Sequence, residues 1–357
     1  MIDEKTKKHY FDQRLGKLFY YDSVLPTMEQ KKRHPMVKKR IIGAWNEWGK
    51  LRECVIGQAD DSVDPEYIPA LVWLSKEGKR GLREKAGKLT KIAFPDIYKR
   101  IKRDLDSLAK TLRDNGVRVY RTIPIKNKEE QEYLGNVQTG NMPFDGADFF
   151  RVVGTKVILL NSFRMPMRRK RVWPVRRVLE PLVMGSNAEY ISTPPPSPHY
   201  TKDELYIENG DIMIDGHNVY VGMSGNGSSA AGIAWLKQLL GKEYRVYVVR
   251  MKPNLFHMDW VLSLNRPGLL TYCPEALIDA LPEPLKKWDK IKIKSSEVAG
   301  ANNLSIDENT IVCSKHQTRI AKEYRKKGMK VLTVPMEDTI GYGSGPRCLV
   351  AVLRRDP

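Results

Sequence analysis

The sequence predicts an α/β fold built from a repeated unit of strand, strand, helix and strand. Three segments share the start of this unit, two short apolar strands joined by a turn, at residues 148–162, 211–224 and 304–314. Apolar residues at helical spacing follow two of these hairpins, and each helix gives way to a strand: Ala230–Leu240 before Val246–Val249, and Gln317–Lys327 before Lys330–Val334. A repeat of this kind indicates one architecture for the whole chain.

The order of elements predicts a single domain preceded by an arm. Residues 1–44 are basic and only weakly periodic, and we expect an arm that lies over the core or is partly disordered. The folded domain, residues 45–357, begins with a turn and a strand within Trp45–Gly57. A helix over residues 97–115 and a strand over Val117–Tyr120 follow. The proline-rich segment Thr193–Pro198 is typical of a surface loop inside the domain.

Composition places the 357-residue chain among ordinary globular proteins, since 41% of its residues are hydrophobic and 29% are charged. No apolar run approaches the roughly 20 residues of a membrane helix, and the first residues lack a signal peptide's apolar centre, so we expect a cytoplasmic protein. The four cysteines are widely separated, which indicates reduced thiols rather than a zinc site or a disulfide framework. No cofactor is implied.

A formal charge of +19 is the most unusual bulk property. It is compatible with attraction to nucleic acid, an anionic membrane surface or an acidic substrate. The basic residues are spread along the chain, with local runs at residues 31–33, 38–40 and 168–171, and no known nucleic-acid module accompanies them. A solvated basic surface is the favoured interpretation.

One cysteine stands in a position that suits a nucleophile. Cys348 follows the glycine-punctuated loop 341–347 and directly precedes the apolar segment Leu349–Leu353, which is typical of a buried strand. Burial of a small apolar side chain explains such a cysteine equally well. Other residues have to decide between the two interpretations.

Three further segments carry acids or histidine, two of them at predicted strand entrances and one in a predicted extended segment. They contain Glu208 with Asp211, His257 with Asp259, and Asp148; alternation in an extended segment would point His257 and Asp259 the same way. Each pattern alone is more often a turn or a surface pair. Together they supply a base, an acid to orient it, and spare carboxylates beside a thiol. Spare carboxylates suit a guanidinium, which they bind in two-point pairs while a thiolate attacks its central carbon.

In these motifs the sequence resembles the arginine amidinotransferases, a family that includes the glycine and inosamine-phosphate amidinotransferases and belongs to the guanidino-modifying superfamily. The resemblance runs from Asn46 to the C-terminus, in the family's motif order, and includes the 49-residue step from Glu208 to His257 and the pair Arg354-Arg355 after Cys348. It implies a five-bladed α/β propeller, the pentein fold, with pseudo-fivefold repetition.

The resemblance also implies roles for these residues. Cys348 would be the nucleophile, His257 the general acid and base, and Glu208 the residue that orients it. Asp148 and Asp259 would clamp the guanidinium, and we place Asp211 and Asn303 with the substrate-binding residues. The chain departs from glycine amidinotransferases at Ala276, where they have an arginine that holds the substrate carboxylate.

Transfer of the amidino group from L-arginine to an amine acceptor, with release of ornithine, is the leading prediction. Hydrolysis of the guanidino group, with water as acceptor, is the first alternative because it uses the same intermediate. A nucleic-acid-binding protein with a vestigial thiol site is the second, and it is motivated by charge alone. The basic surface would also suit an anionic acceptor. A homodimer is possible, and no membrane partner is expected.

Overall fold

A computed structural model describes most of the chain. The described residues are 40–60, 62–64, 79–80, 83–84, 86–124, 149–165, 168–169, 172–197, 201, 204–336, 339 and 344–357. Most of the predicted arm, Asp148 and residues 341–343 of the glycine loop lie outside these ranges.

Fifteen strands and six α-helices are described. The strands are β1 (Leu51–Ile56), β2 (Arg118–Arg121), β3 (Phe150–Val153), β4 (Lys156–Leu159), β5 (Glu189–Ser192), β6 (Ile212–Asp215), β7 (Asn218–Met223), β8 (Arg245–Arg250), β9 (Leu262–Arg266), β10 (Leu269–Tyr272), β11 (Asp289–Lys292), β12 (Leu304–Asp307), β13 (Thr310–Ser314), β14 (Lys330–Val334) and β15 (Val350–Arg355). The helices are α1 (Thr90–Ala93), α2 (Pro95–Asp114), α3 (Val172–Met184), α4 (Ala230–Leu240), α5 (Glu283–Lys286) and α6 (Thr318–Lys326).

These strands form five three-stranded sheets within the described part of the chain. Their orders are β3-β4-β5, β6-β7-β8, β9-β10-β11, β12-β13-β14 and β15-β1-β2. In every sheet the first strand is antiparallel to the second, and the third is parallel to the second after a helical crossover. The predicted five-bladed α/β propeller is confirmed.

The fifth sheet joins the two ends of the domain. β15 pairs antiparallel with β1, with Cys54 opposite Val352 and Val55 opposite Ala351, and β1 pairs parallel with β2. The last strand therefore occupies the place that β3, β6, β9 and β12 occupy in the other blades. Closure of this kind ties the last strand to the first blade through backbone hydrogen bonds.

Burial decreases from the first strand of a blade to the third. The first strands are almost wholly buried, whereas β2, β5, β8 and β11 consist mostly of exposed and half-buried residues. Helices cover the blades with one apolar face: in α2, Ile101, Leu105, Leu108 and Leu112 are fully buried. Each such side chain contributes about 1.5–3 kcal/mol of burial free energy. The residues just before each first strand thus lie near the buried middle of the domain.

The end of the predicted arm packs on the domain. Residues 40–44 were assigned to the arm, yet Ile42 is fully buried and the backbone N–H of Ala44 donates to Gly154 at 2.9 Å. Arg40 also forms an ion pair with Glu53. These five residues pack on the blades because Ile42 and Ala44 join the apolar cluster around β3. In the part of the chain that is described, no helix is both long and apolar enough to cross a membrane.

Candidate active site

The repeat gathers the chemistry-bearing residues at equivalent positions of successive blades. Glu208 and Asp211 precede β6, His257 and Asp259 precede β9, and Cys348 precedes β15. A sixth residue, Asn302, precedes β12 in the same way. All six side chains are buried: Cys348 is 7% exposed and the others are 3% exposed or less.

The thiol of Cys348 contacts one carboxylate and one amide. Its Sγ lies 3.2 Å from Oδ2 of Asp259, and Nδ2 of Asn302 donates to Sγ at 2.9 Å. Oδ1 of Asn302 in turn accepts from the backbone N–H of Cys348 at 3.1 Å. A Cβ at Gly345 would lie 2.6 Å from the carbonyl oxygen of Asn302, so the loop needs glycine there to bring the cysteine against the amide.

His257 is held by Glu208. Nε2 of His257 lies 2.8 Å from Oε2 of Glu208, and its ring stacks on Phe256 with centroids 3.8 Å apart. Gly210 lies directly over the imidazole, since a Cβ there would be 2.3 Å from Nδ1. One ring nitrogen is therefore oriented by a carboxylate, as a general acid and base requires.

Arg168 also contacts this pair. It forms an ion pair with Glu208, and its NH1 lies 3.3 Å from Nε2 of His257. Its guanidinium carbon lies over the rings of Phe163 and Phe256, 5.1 Å and 4.8 Å from their centroids. The basic run 168–171 was interpreted as solvated surface, and that interpretation is wrong for Arg168, which is 2% exposed.

Asp211 holds the backbone of the segment that carries His257 and Asp259. Its carboxylate oxygens accept the backbone N–H groups of Ser228 at 2.8 Å and Met258 at 3.0 Å. Burial raises the pKa of Asp211 to about 7, although these N–H groups oppose the shift. Because Met258 stands between His257 and Asp259, Asp211 sets the orientation of both.

The segment from His257 to Asp259 differs from the predicted extended strand. His257 itself is extended, but Met258–Trp260 forms a single 3₁₀ turn before β9. The turn aims Asp259 at Cys348, while His257 turns toward Glu208. Alternation along a strand is therefore not what places these two side chains.

A buried network of charges continues from Asp259 toward the N-terminal side of the domain. NH1 of Arg347 donates to Oδ2 of Asp259 at 2.9 Å, and its NH2 lies 3.4 Å from Oε2 of Glu47. Glu47 also pairs with Arg151. Burial alone would raise the pKa of Glu47, but the two arginines outweigh it and hold that pKa at about 2.

Of the other predicted substrate-binding residues, one is not described and one contacts groups other than the thiol. Asp148 lies outside the described residues. The side chain of Asn303 donates to the carbonyl of Gly300 at 2.6 Å and lies 3.3 Å from the hydroxyl of Tyr324. The neighbouring Asn302 contacts Cys348 instead, and nothing in the sequence distinguishes two adjacent asparagines.

The remaining cysteines fit a packing role. Cys54, Cys273 and Cys313 are fully buried in apolar clusters. Burial raises the pKa of Cys54 to about 12 and raises that of Cys313 as well, which suppresses their thiolates. Over the described ranges, no group of three or more His, Cys, Asp or Glu side chains could hold a metal ion. The site can thus offer a thiol, an oriented imidazole and carboxylates.

Comparison with known proteins points to one family. No protein-family model matches the chain. Over 92% of its length the chain is 24% identical to the mitochondrial glycine amidinotransferase of Gallus gallus, covering 86% of that protein. It is 23% identical to the L-arginine:L-lysine amidinotransferase of Pseudomonas savastanoi pv. phaseolicola, covering 91% of this chain and 97% of that one. These relatives are amidinotransferases, and the chain resembles them over about nine tenths of its length.

The fold of the chain agrees with that resemblance. A solved amidinotransferase of the saxitoxin biosynthetic pathway from Microseira wollei superposes with a TM-score of 0.76 at 22% identity, covering 88% of this chain and 98% of the other. The chain therefore has the pentein fold over nearly the full length of its relatives.

Proposed function

We propose that the protein transfers the amidino group of L-arginine to an amine acceptor through a covalent intermediate on Cys348. The observation that carries this proposal is the contact of Cys348 with Asp259, two residues beyond a histidine that pairs with Glu208. Those contacts supply a thiol and an acid–base group beside carboxylates suited to a guanidinium. The similarity to an L-arginine:L-lysine amidinotransferase supports arginine as the donor.

In the first half-reaction, the Cys348 thiolate attacks the central carbon of the guanidinium and forms a carbon–sulfur bond. His257 gives a proton to the nitrogen that carries the ornithine chain, and the bond from the central carbon to that nitrogen breaks. Ornithine leaves, and the cysteine retains the amidino group. Asp259 and Asp148 would bind the two terminal nitrogens, so that the planar group faces the sulfur.

In the second half-reaction, the acceptor amine attacks the same carbon. His257 takes a proton from that amine, the carbon–sulfur bond breaks, and the thiolate is restored as the guanidino product leaves. Asp211 contributes by holding the turn that carries His257 and Asp259, since its two oxygens accept backbone N–H groups. We assign it a positioning part rather than the substrate contact predicted from the sequence.

The test is product analysis. Purified protein is incubated with L-arginine and each of a panel of amines, including glycine, lysine and ornithine, and products are identified by mass spectrometry. The proposal predicts ornithine and one guanidino product, both absent with Cys348→Ala. Citrulline and ammonia formed without any amine would show hydrolysis instead. If the wild type formed neither set of products, the proposal that the protein acts on L-arginine would be contradicted.

A further inference from the structure

Arg347, the residue before the proposed nucleophile, is buried among groups of opposite charge. Its side chain is 7% exposed. NH1 donates to Oδ2 of Asp259 at 2.9 Å, and NH2 donates to the carbonyl of Ile212 at 2.7 Å while lying 3.4 Å from Glu47. One side chain thus joins the entry to β15, the turn before β9, the start of β6 and the segment before β1.

Asp259 Oδ2 is shared between Arg347 and the thiol. Cys348 Sγ lies 3.2 Å from this oxygen, so the sulfur and NH1 of Arg347 are within about 6 Å of each other, the range in which charges alter protonation. A carboxylate this close to sulfur opposes a thiolate, because two negative charges would face each other. A cation on the same oxygen offsets that repulsion.

The described charged groups around Arg347 and Asp259 come from several elements. Besides these two residues, they are Glu47 before β1, Arg151 in β3, Asp211 before β6 and Arg355 in β15. Burial alone would lower the pKa of Arg347, but Glu47, Asp259 and Cys348 outweigh it and raise that pKa. Arg151 bonds to Glu47 and Asn209, and the hydrogen bonds of Arg355 go to the carbonyls of Gly49 and Ser305. Of these three arginines, Arg347 is therefore the one that donates a hydrogen bond to Asp259, the carboxylate that faces the thiol.

We propose that Arg347 is a positioning residue. It holds Asp259 against Cys348 and offsets the negative charge of Asp259, so that the thiol of Cys348 can ionise before substrate binds. This inference rests on the proposed function for its purpose, since it concerns the nucleophile of that reaction. Arg347 acts through Asp259 and the field at the sulfur, and it touches neither donor nor acceptor.

The test follows the reactivity of Cys348 without turnover. Iodoacetamide alkylates thiolates, so the rate of alkylation against pH reports ionisation of the thiol. The rate is measured on the peptide that contains Cys348, in wild type, Arg347→Gln, Arg347→Lys and the matched control Arg151→Gln. Arg151→Gln removes a buried arginine from Glu47 without breaking a hydrogen bond to Asp259. Thermal unfolding identifies variants that have lost the fold.

Removal of the cation should raise the midpoint of the alkylation profile by about one pH unit or more in Arg347→Gln. Arg347→Lys keeps the charge and should keep the midpoint within about half a unit of wild type. Its kcat should still fall, because a single ammonium cannot reproduce the contacts to Asp259 and Ile212. Arg151→Gln also removes a cation near Asp259 but breaks no hydrogen bond to it, so it should raise the midpoint by less than Arg347→Gln does.

A folded Arg347→Gln with a wild-type midpoint would overturn the inference. If Arg347→Gln does not fold, a midpoint raised by a full unit in Arg347→Lys would overturn it as well, since the charge is retained there. The alkylation result and the test of the proposed function can be told apart. A raised midpoint in a protein that does not consume arginine would uphold the inference and reject that function, whereas arginine turnover with no change in midpoint would do the reverse.

Discussion

Replacing Gly210 by alanine is the sharpest single-atom test of the acid–base assignment. Gly210 lies in the 3₁₀ turn before β6, and a Cβ there would lie 2.3 Å from Nδ1, 2.6 Å from Cγ and 2.9 Å from Cβ of His257. The imidazole cannot swing aside freely, because Glu208 holds Nε2 and Phe256 stacks on the ring. The added methyl group must therefore displace the histidine or the turn.

The size of the effect follows from that overlap. Restoring ordinary contact requires a movement of about 1 Å, and a misplacement of that size in a catalytic group costs on the order of 100-fold in rate. Overpacking of a buried site adds about 1–3 kcal/mol of destabilisation. We expect Gly210→Ala to lower kcat about 100-fold or more while the protein still folds.

Three measurements separate displacement of the histidine from general damage. They are the initial rate of guanidino product formation, the thermal unfolding midpoint, and alkylation of Cys348, which lies in another blade and should change little. Gly185→Ala is the matched control, since a Cβ there meets only the carbonyl oxygen of Pro181 at 3.8 Å. A Gly210→Ala protein with nearly wild-type kcat would refute the placement of His257 as the acid–base group.

Three other substitutions test the framework of the site. Asp211→Asn should lower the free energy of unfolding by about 1–3 kcal/mol, because an amide can accept only one of the two buried N–H groups. Since the pKa of Asp211 is raised from 3.8 to about 7, the wild type should lose stability as pH rises through that window, and the variant should lack this contribution in denaturant titrations. Glu47→Gln should cost about 3–5 kcal/mol, because it leaves the buried Arg151 without its paired carboxylate and removes one of the two that face Arg347. The wild type should lose this stabilisation as pH falls from 4.5 toward 2. Asn302→Ala removes a hydrogen bond to the reactive sulfur, worth about 1.5–3 kcal/mol if the sulfur is anionic, and kcat should fall about tenfold or more.

The repeat could be predicted from the sequence where each element carries its own signal. Helix α4 begins and ends at the predicted residues, Ala230 and Leu240, and strand β14 spans the predicted Lys330–Val334. The blade of β9, β10 and β11 escaped prediction because its crossover helix is one turn, Glu283–Lys286, too short for apolar periodicity. The β15-β1-β2 blade was not predicted because β15 and β1 lie at opposite ends of the domain, and no local sequence pattern indicates that strands so far apart pair.

The site was predicted only in part, for a physical reason. Glu208, His257 and Cys348 each precede the first strand of a blade, and in the sequence it is the order of their motifs, through the family resemblance, that singles them out. Arg168 and Arg347 look like ordinary basic residues, and only the folded chain shows that each meets a buried carboxylate. Pairing of charges across blades depends on side-chain direction and burial, which linear spacing does not encode.

The central claim is that Cys348 carries the amidino group between donor and acceptor. It is tested most directly by mixing the protein with L-arginine labelled in the guanidino carbon, without an acceptor, quenching in acid and mapping peptides by mass spectrometry. We predict one labelled amidino group on the peptide that contains Cys348, an equal amount of ornithine, and loss of the label when an amine acceptor is added before the quench. Labelled guanidino product formed at the wild-type rate by Cys348→Ala, or label on another residue, would contradict the account.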